Sequence, residues 1–294
     1  MAVTVSTQVT DCAATQERDL VAELQGALAH GTLVLPSYPD VAIRIRKVLA
    51  DDHATVERVG RIVSAEPALS AQLMRLANSA ALNPGGRAVT EPKSAVARLG
   101  FNMVRSATIA FAMAQVKGAA HLRGLESELD ALWHRSTLTA ALCYVTARNV
   151  RGINADEALL AGLLHNIGAL YLLSKAHQYR AVFADVEANR RIVEAWHIQV
   201  AVGLLKQWGM PASIIQAVES QESGHCARDG SADLADVLIV ARLLAASVAS
   251  PNEVQDELQR VPALGRIGLE AATLLTILEQ SQEQVKTLQL ALAS

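Results

Sequence analysis

Apolar residues return with helical spacing along most of the chain: Leu20, Leu24 and Leu28; Val41, Ile45, Val48 and Leu49; Leu69, Leu73 and Leu76; Leu138, Leu142 and Val145. Steps of three, four and seven place each set on one face, which predicts amphipathic α-helices. Strand-like alternation is confined to residues 3–9, where Thr and Val take turns. Breakers stand where helices should end: Pro36, Pro39, Pro67, Asn83-Pro84-Gly85-Gly86, Pro92, Gly118, Gly152, Gly168, Gly209 with Pro211, Gly224, Gly230, Pro251 and Pro262. That punctuation predicts about a dozen helices and an all-α fold. Asn78 and Ser79 close an apolar helical face ahead of the Asn83 turn and read as a helix C-terminal cap that orders the loop.

Charge divides the chain more clearly than hydropathy does. Residues 1–35 carry a net charge of −3 and residues 36–117 carry +5, against −3 for the whole chain. This predicts two helical lobes that meet near 118–124. The lobes are 29–118 and 119–225, with a lead and helix over 1–28 before them and a helical extension over 226–294 after them. The stretch 229–233 reads as a link, and 279–294 as a helix that packs on a partner. The basic side chains of the first lobe (Arg44, Arg46, Lys47, Arg58, Arg61, Arg75, Arg98, Arg105) are interleaved with acidic ones, with almost no aromatic rings to stack bases. They read as a solvated face rather than a nucleic-acid groove.

Composition narrows the class further. Aromatic residues make up 3% of the chain against 51% apolar residues, so aliphatic side chains and Ala must fill the core. Cys12, Cys143 and Cys226 are odd in number and far apart, which excludes a disulfide framework and a thiolate zinc knuckle. The longest apolar stretch, 158–173, is interrupted by His165 and Asn166 and falls short of a bilayer span. The first dozen residues lack a positive n-region and a continuous apolar h-region, so they read as a loose polar lead and not a signal peptide. The expected compartment is the cytoplasm, with no membrane partner.

Phosphate-binding glycine loops, GxSxG and HExxH are all absent. The dense chemical cluster is Leu163-Leu164-His165-Asn166-Ile167-Gly168. A His followed by Asp at a helix end can offer an imidazole nitrogen and a carboxylate oxygen to metal ions that activate water. Here the second position is Asn166, whose neutral amide neither balances a divalent charge nor serves as a general base.

Six segments together resemble an HDOD domain, a signalling relative of the HD phosphohydrolases. The first lobe contributes LPSYPDVAIRIRKVL, SAEPALSAQLMRLANSA and SAVARLGFNMVRSATIA. The second contributes LWHRSTLTAAL, LLAGLLHNIGALYLL and VGLLKQWGMPASIIQAV. In the metal-dependent relatives, ligands are expected shortly after the Trp, at the His-Asp pair, at further His residues and at a late Asp. In this sequence those positions are occupied by Arg135, His165 with Asn166, Gln199, Gln221 with Glu222, and Arg242. His134 stands one residue early, about 100° around the helix from Arg135. Arginine stays protonated and cannot ligate a cation.

The resemblance therefore implies a two-lobed bundle with a degenerate second lobe, acting as a non-catalytic regulatory module through contacts with other signalling proteins beside cyclic-di-GMP pathways. No metal and no cofactor are expected, and a homodimer is. For His165 the plain reading is a buried imidazole bonded to a backbone carbonyl. The sharper reading brings Arg135, His165, Asn166 and Arg242 together as a pocket for a small anionic ligand, such as a phosphorylated nucleotide. The alternative class is a metal-dependent phosphohydrolase or cyclic-dinucleotide phosphodiesterase with displaced ligands at His134, His165 and His197. Trp196, His197 and Trp208 otherwise read as packing residues.

Overall fold

Each helical face read from the sequence is a helix in the computed structural model, which describes residues 2–36, 38–223, 230–246 and 251–293. No strand occurs among the described residues, so the chain is all-α. Five helices come first: α1 (Ala2–His30), α2 (Asp40–Leu49), α3 (Val56–Ser64), α4 (Pro67–Ala77) and α5 (Pro92–Lys117), the last kinked at Gly100. Next are α6 (Glu126–Ala147), α7 (Ala155–Leu164), α8 (Ile167–Ser174), α9 (Arg180–Ala184), α10 (Val186–Gln207) and α11 (Ala212–Glu219). The chain closes with α12 (Leu234–Ala246), α13 (Pro251–Arg260), α14 (Pro262–Arg266), α15 (Ala271–Gln280) and α16 (Gln282–Ala293).

Local chemistry sets many of these boundaries. Thr55 caps α3 by accepting from the Arg58 N–H at 3.2 Å, and Asn154 caps α7 by accepting from Asp156 and Glu157. Proline begins α4 at a position where no amide donor is required. Asn78 closes α4, and its amide pairs with both backbone groups of Val89 at 2.8 Å, tying down the loop as the capping reading requires.

Helices α2, α3 and α4 rest on α5, while α6, α7, α11 and α12 form the second bundle and α10 joins it through α8 and α11. A single hydrophobic core runs from Leu20 to Leu292 through both groups. Burying a Leu such as Leu69, Leu73 or Leu159 contributes roughly 1.5–3 kcal/mol. The stretch Ala155–Ser174 is apolar enough to cross a bilayer, yet it is divided between α7 and α8 and is 89% buried inside the fold.

The structure corrects four expectations. The described residues hold sixteen helices rather than a dozen, because five-residue helices such as α9 and α14 are too short to show a period. The lead is part of α1 rather than a loose segment, since each residue added to an existing helix gains a backbone hydrogen bond. The terminal helix packs on its own chain: Leu288, Ala291 and Leu292 are buried, α16 lies on α4, α5 and α6, and Gln72 Nε2 donates to the Leu292 carbonyl at 3.1 Å. Of the expected link at 229–233, residue 229 lies outside the described residues. Asp233 is an ordered cap that accepts from the Ala235 and Asp236 amides.

Candidate functional site

The second bundle carries a half-open cavity of about 320 Å³, and all four candidate residues line it. Arg135 and Thr139 lie one turn apart on α6 and share a face. Helix α12 contributes Ile239, Arg242, Leu243 and Ala246, a single stripe at three- and four-residue steps. His165 and Asn166 form the corner between α7 and α8, Gln221 and Glu222 the turn after α11, and Val261 the entry to α14.

Two glycines permit this convergence. A Cβ on Gly162 would stand 2.6 Å from the Ala140 Cα, so α7 reaches α6 only because the side chain is missing. A Cβ on Gly168 would stand 1.8 Å from the His197 carbonyl oxygen, so the same holds between α8 and α10. The corner carrying His165 is clamped between these two contacts.

His165 is 1% exposed, and its Nδ1 lies 2.6 Å from the Gly162 carbonyl oxygen. A carbonyl only accepts, so Nδ1 carries the proton and donates. Burial drives the pKa of the ring down to about 3, and Arg242, Arg135 and His197 push the same way against the Gly162 hydrogen bond. The imidazole is therefore neutral, and its Nε2 is an acceptor. Asn166 Nδ2 donates to Ser136 Oγ at 3.4 Å.

Arg242 Nη1 donates to the Gln221 carbonyl, and Nη2 stands 3.6 Å from Glu222 Oε1. Burial lowers the Arg242 pKa, Glu222 opposes the shift and Arg135 adds to it. Glu222 also faces His197 Nε2 at 3.2 Å, while His197 Nδ1 bonds the Val193 carbonyl. Arg135 is exposed and has no acidic partner among the described residues. Gln221 is 2% exposed and its Nε2 donates to the His165 carbonyl at 3.1 Å, which fixes the amide orientation and leaves Oε1 buried without a partner. Thr139 Oγ1, in the same wall, is also buried and unpartnered.

Sequence reasoning placed Arg135, His165, Asn166 and Arg242 in one pocket and missed its three other polar members, Thr139, Gln221 and Glu222. The latter two were visible only as positions where His was expected, and the i, i+4 spacing from Arg135 to Thr139 was the available signal for the first. His134 lies apart from the cavity, against Gln289 of α16. His197 is not part of the cavity lining and meets the site at Glu222 and, through its carbonyl, at Gly168. Trp208 packs on Tyr38 with centroids 5.2 Å apart and lies under Arg46, outside the site.

An all-α fold with a polar cavity beside a His-led helical corner defines a chain of the HD-like class. The HDOD domain model matches residues 35–223, more than half of the chain, and the protein belongs to the HDOD family. It is similar to a solved candidate metal-dependent phosphohydrolase from Shewanella amazonensis, at 25% identity over 95% of this chain and 99% of that one, with a TM-score of 0.73. It shares its fold with a solved candidate signal transduction protein from Marinobacter aquaeolei, at 21% identity, covering 95% of this chain and 66% of the other, with a TM-score of 0.58. A curated protein of Treponema pallidum is 22% identical over 210 residues. That match covers 67% of this chain but only 39% of the relative's own length.

Proposed function

We propose that the protein is a non-catalytic signal-transduction module whose HD-like cavity holds a small ligand by an anionic group in place of metal ions. It works in the cytoplasm through contacts with other signalling proteins and as a homodimer. The observation that carries this reading is the pair of guanidinium groups, Arg135 and Arg242, in one cavity wall. A dinuclear metal centre needs several anionic or imidazole donors converging on the ions. The cavity offers one neutral imidazole and one carboxylate, and that carboxylate faces Arg242 at 3.6 Å and His197 at 3.2 Å. Two permanent positive charges beside these donors repel a divalent cation, so the donor set does not fit the metal of the phosphohydrolase relatives. Bidentate guanidinium groups suit a carboxylate or phosphate instead.

The test is turnover of bis(p-nitrophenyl) phosphate and of cyclic dinucleotides in the presence of Mn²⁺, Fe²⁺, Ni²⁺ or Mg²⁺. The expected result is no hydrolysis that depends on His165. Turnover that disappears in His165→Ala would overturn the reading and restore the phosphodiesterase alternative.

A further inference from the structure

We propose that the cavity ligand is a small aliphatic α-amino acid, held by its carboxylate on Arg135 and Arg242, by its ammonium group at Glu222, and by its side chain against Ile239, Leu243 and Val261. This names the ligand class of the site and rests on the reading of the cavity as an anion pocket. Three observations lead to it.

The first is the placement of opposite charges. Arg242 Nη2 and Glu222 Oε1 stand 3.6 Å apart in the wall, longer than a hydrogen bond, beside Arg135, which has no acidic partner among the described residues. An α-amino acid carries its two opposite charges on groups bonded to one carbon and can meet each with its opposite at such a pair. A phosphate carries acceptor oxygens and negative charge only, and would bring both toward the Glu222 carboxylate.

The second is an acceptor in the wall. The His165 ring is neutral with its Nδ1 proton already committed to Gly162, which leaves Nε2 as an acceptor. It cannot donate to an anion, whereas it suits an ammonium N–H.

The third is size and lining. About 320 Å³ is at the small end of small-molecule pockets. The non-polar wall is aliphatic, and no aromatic ring lines the cavity among the described residues, so a nucleobase finds no stacking platform. The chemistry accordingly favours an amino acid over the phosphorylated nucleotide considered from sequence.

The experiment is isothermal titration calorimetry of the full chain with four probes: L-leucine, 4-methylpentanoate (the same skeleton without the amine), AMP and inorganic phosphate. L-Leucine should bind at least tenfold more tightly than each of the others. Arg135→Ala should abolish binding, and Glu222→Gln should remove the preference for leucine over 4-methylpentanoate while leaving the melting temperature close to that of the parent. Tighter binding of 4-methylpentanoate, AMP or phosphate than of leucine overturns the amino-acid assignment and leaves the anion pocket standing. Absence of heat with all four probes overturns both. Leucine binding that persists unchanged in Arg135→Ala and Glu222→Gln overturns the assignment of this cavity.

Discussion

At the scale of single residues, burial and charge act together on His165. Its folded pKa of about 3 lies below the ordinary imidazole value of about 6.5, so the unfolded chain takes up a proton at a pH where the native ring does not. Stability attributable to this residue is therefore full above about pH 6.5 and falls as pH drops toward 3, by at most about 1.4 kcal/mol per pH unit. Imidazole NMR should show His165 neutral with the proton on Nδ1 throughout pH 5–8; a ring titrating near 6.5 would contradict the buried geometry. The residue types in this pocket were legible in the sequence because arginine and asparagine at a His-Asp motif are chemically conspicuous. Glu222 was not, since its importance lies in standing near Arg242 and His197, and those distances arise from two separate helices and a turn.

At the scale of helices, two contacts hold the site together and can be tested apart from ligand. Gly168→Ala would press a methyl group into the His197 carbonyl, which backbone packing cannot yield to cheaply. The expected cost is at least about 1–3 kcal/mol in urea unfolding, and an unchanged midpoint would refute the close crossing of α8 and α10. The second contact fixes α12, the helix that carries Arg242. Asp236, 0% exposed, accepts from Arg266 Nε at 2.9 Å and Nη2 at 2.7 Å, joining α12 to α14. Asp236→Ala should destabilise by about 3–5 kcal/mol because it strands a mostly buried guanidinium, whereas replacing both partners with apolar residues should recover much of the loss. Long periodic helices such as α1 and α6 were readable from apolar spacing. The pairing of Asp236 with Arg266 was not, because residues 30 apart in sequence leave no periodic trace.

For the whole molecule, the all-α class followed from an aliphatic, aromatic-poor composition with helical spacing throughout, and the six family segments fall within the stretch 35–223 that the HDOD domain model matches. The role of the C-terminus was not legible. An amphipathic helix shows that it has an apolar face but not what covers it, and α16 covers α4, α5 and α6 of its own chain. Removing residues 282–294 should expose the contact made by Leu288, Ala291 and Leu292 and lower the melting temperature by several degrees. A truncated chain that melts like the full one would show that α16 is not part of the shared core. The central claim, that two guanidinium groups have replaced the metal chemistry of this cavity, is tested most directly by elemental analysis of the purified protein after equilibration with Mn, Fe, Ni, Zn and Mg, beside an Asn166→Asp Arg242→Asp variant that restores two carboxylates. Metal content far below one ion per chain in the parent protein is the predicted result; one or more bound ions per chain, lost in His165→Ala, would contradict it.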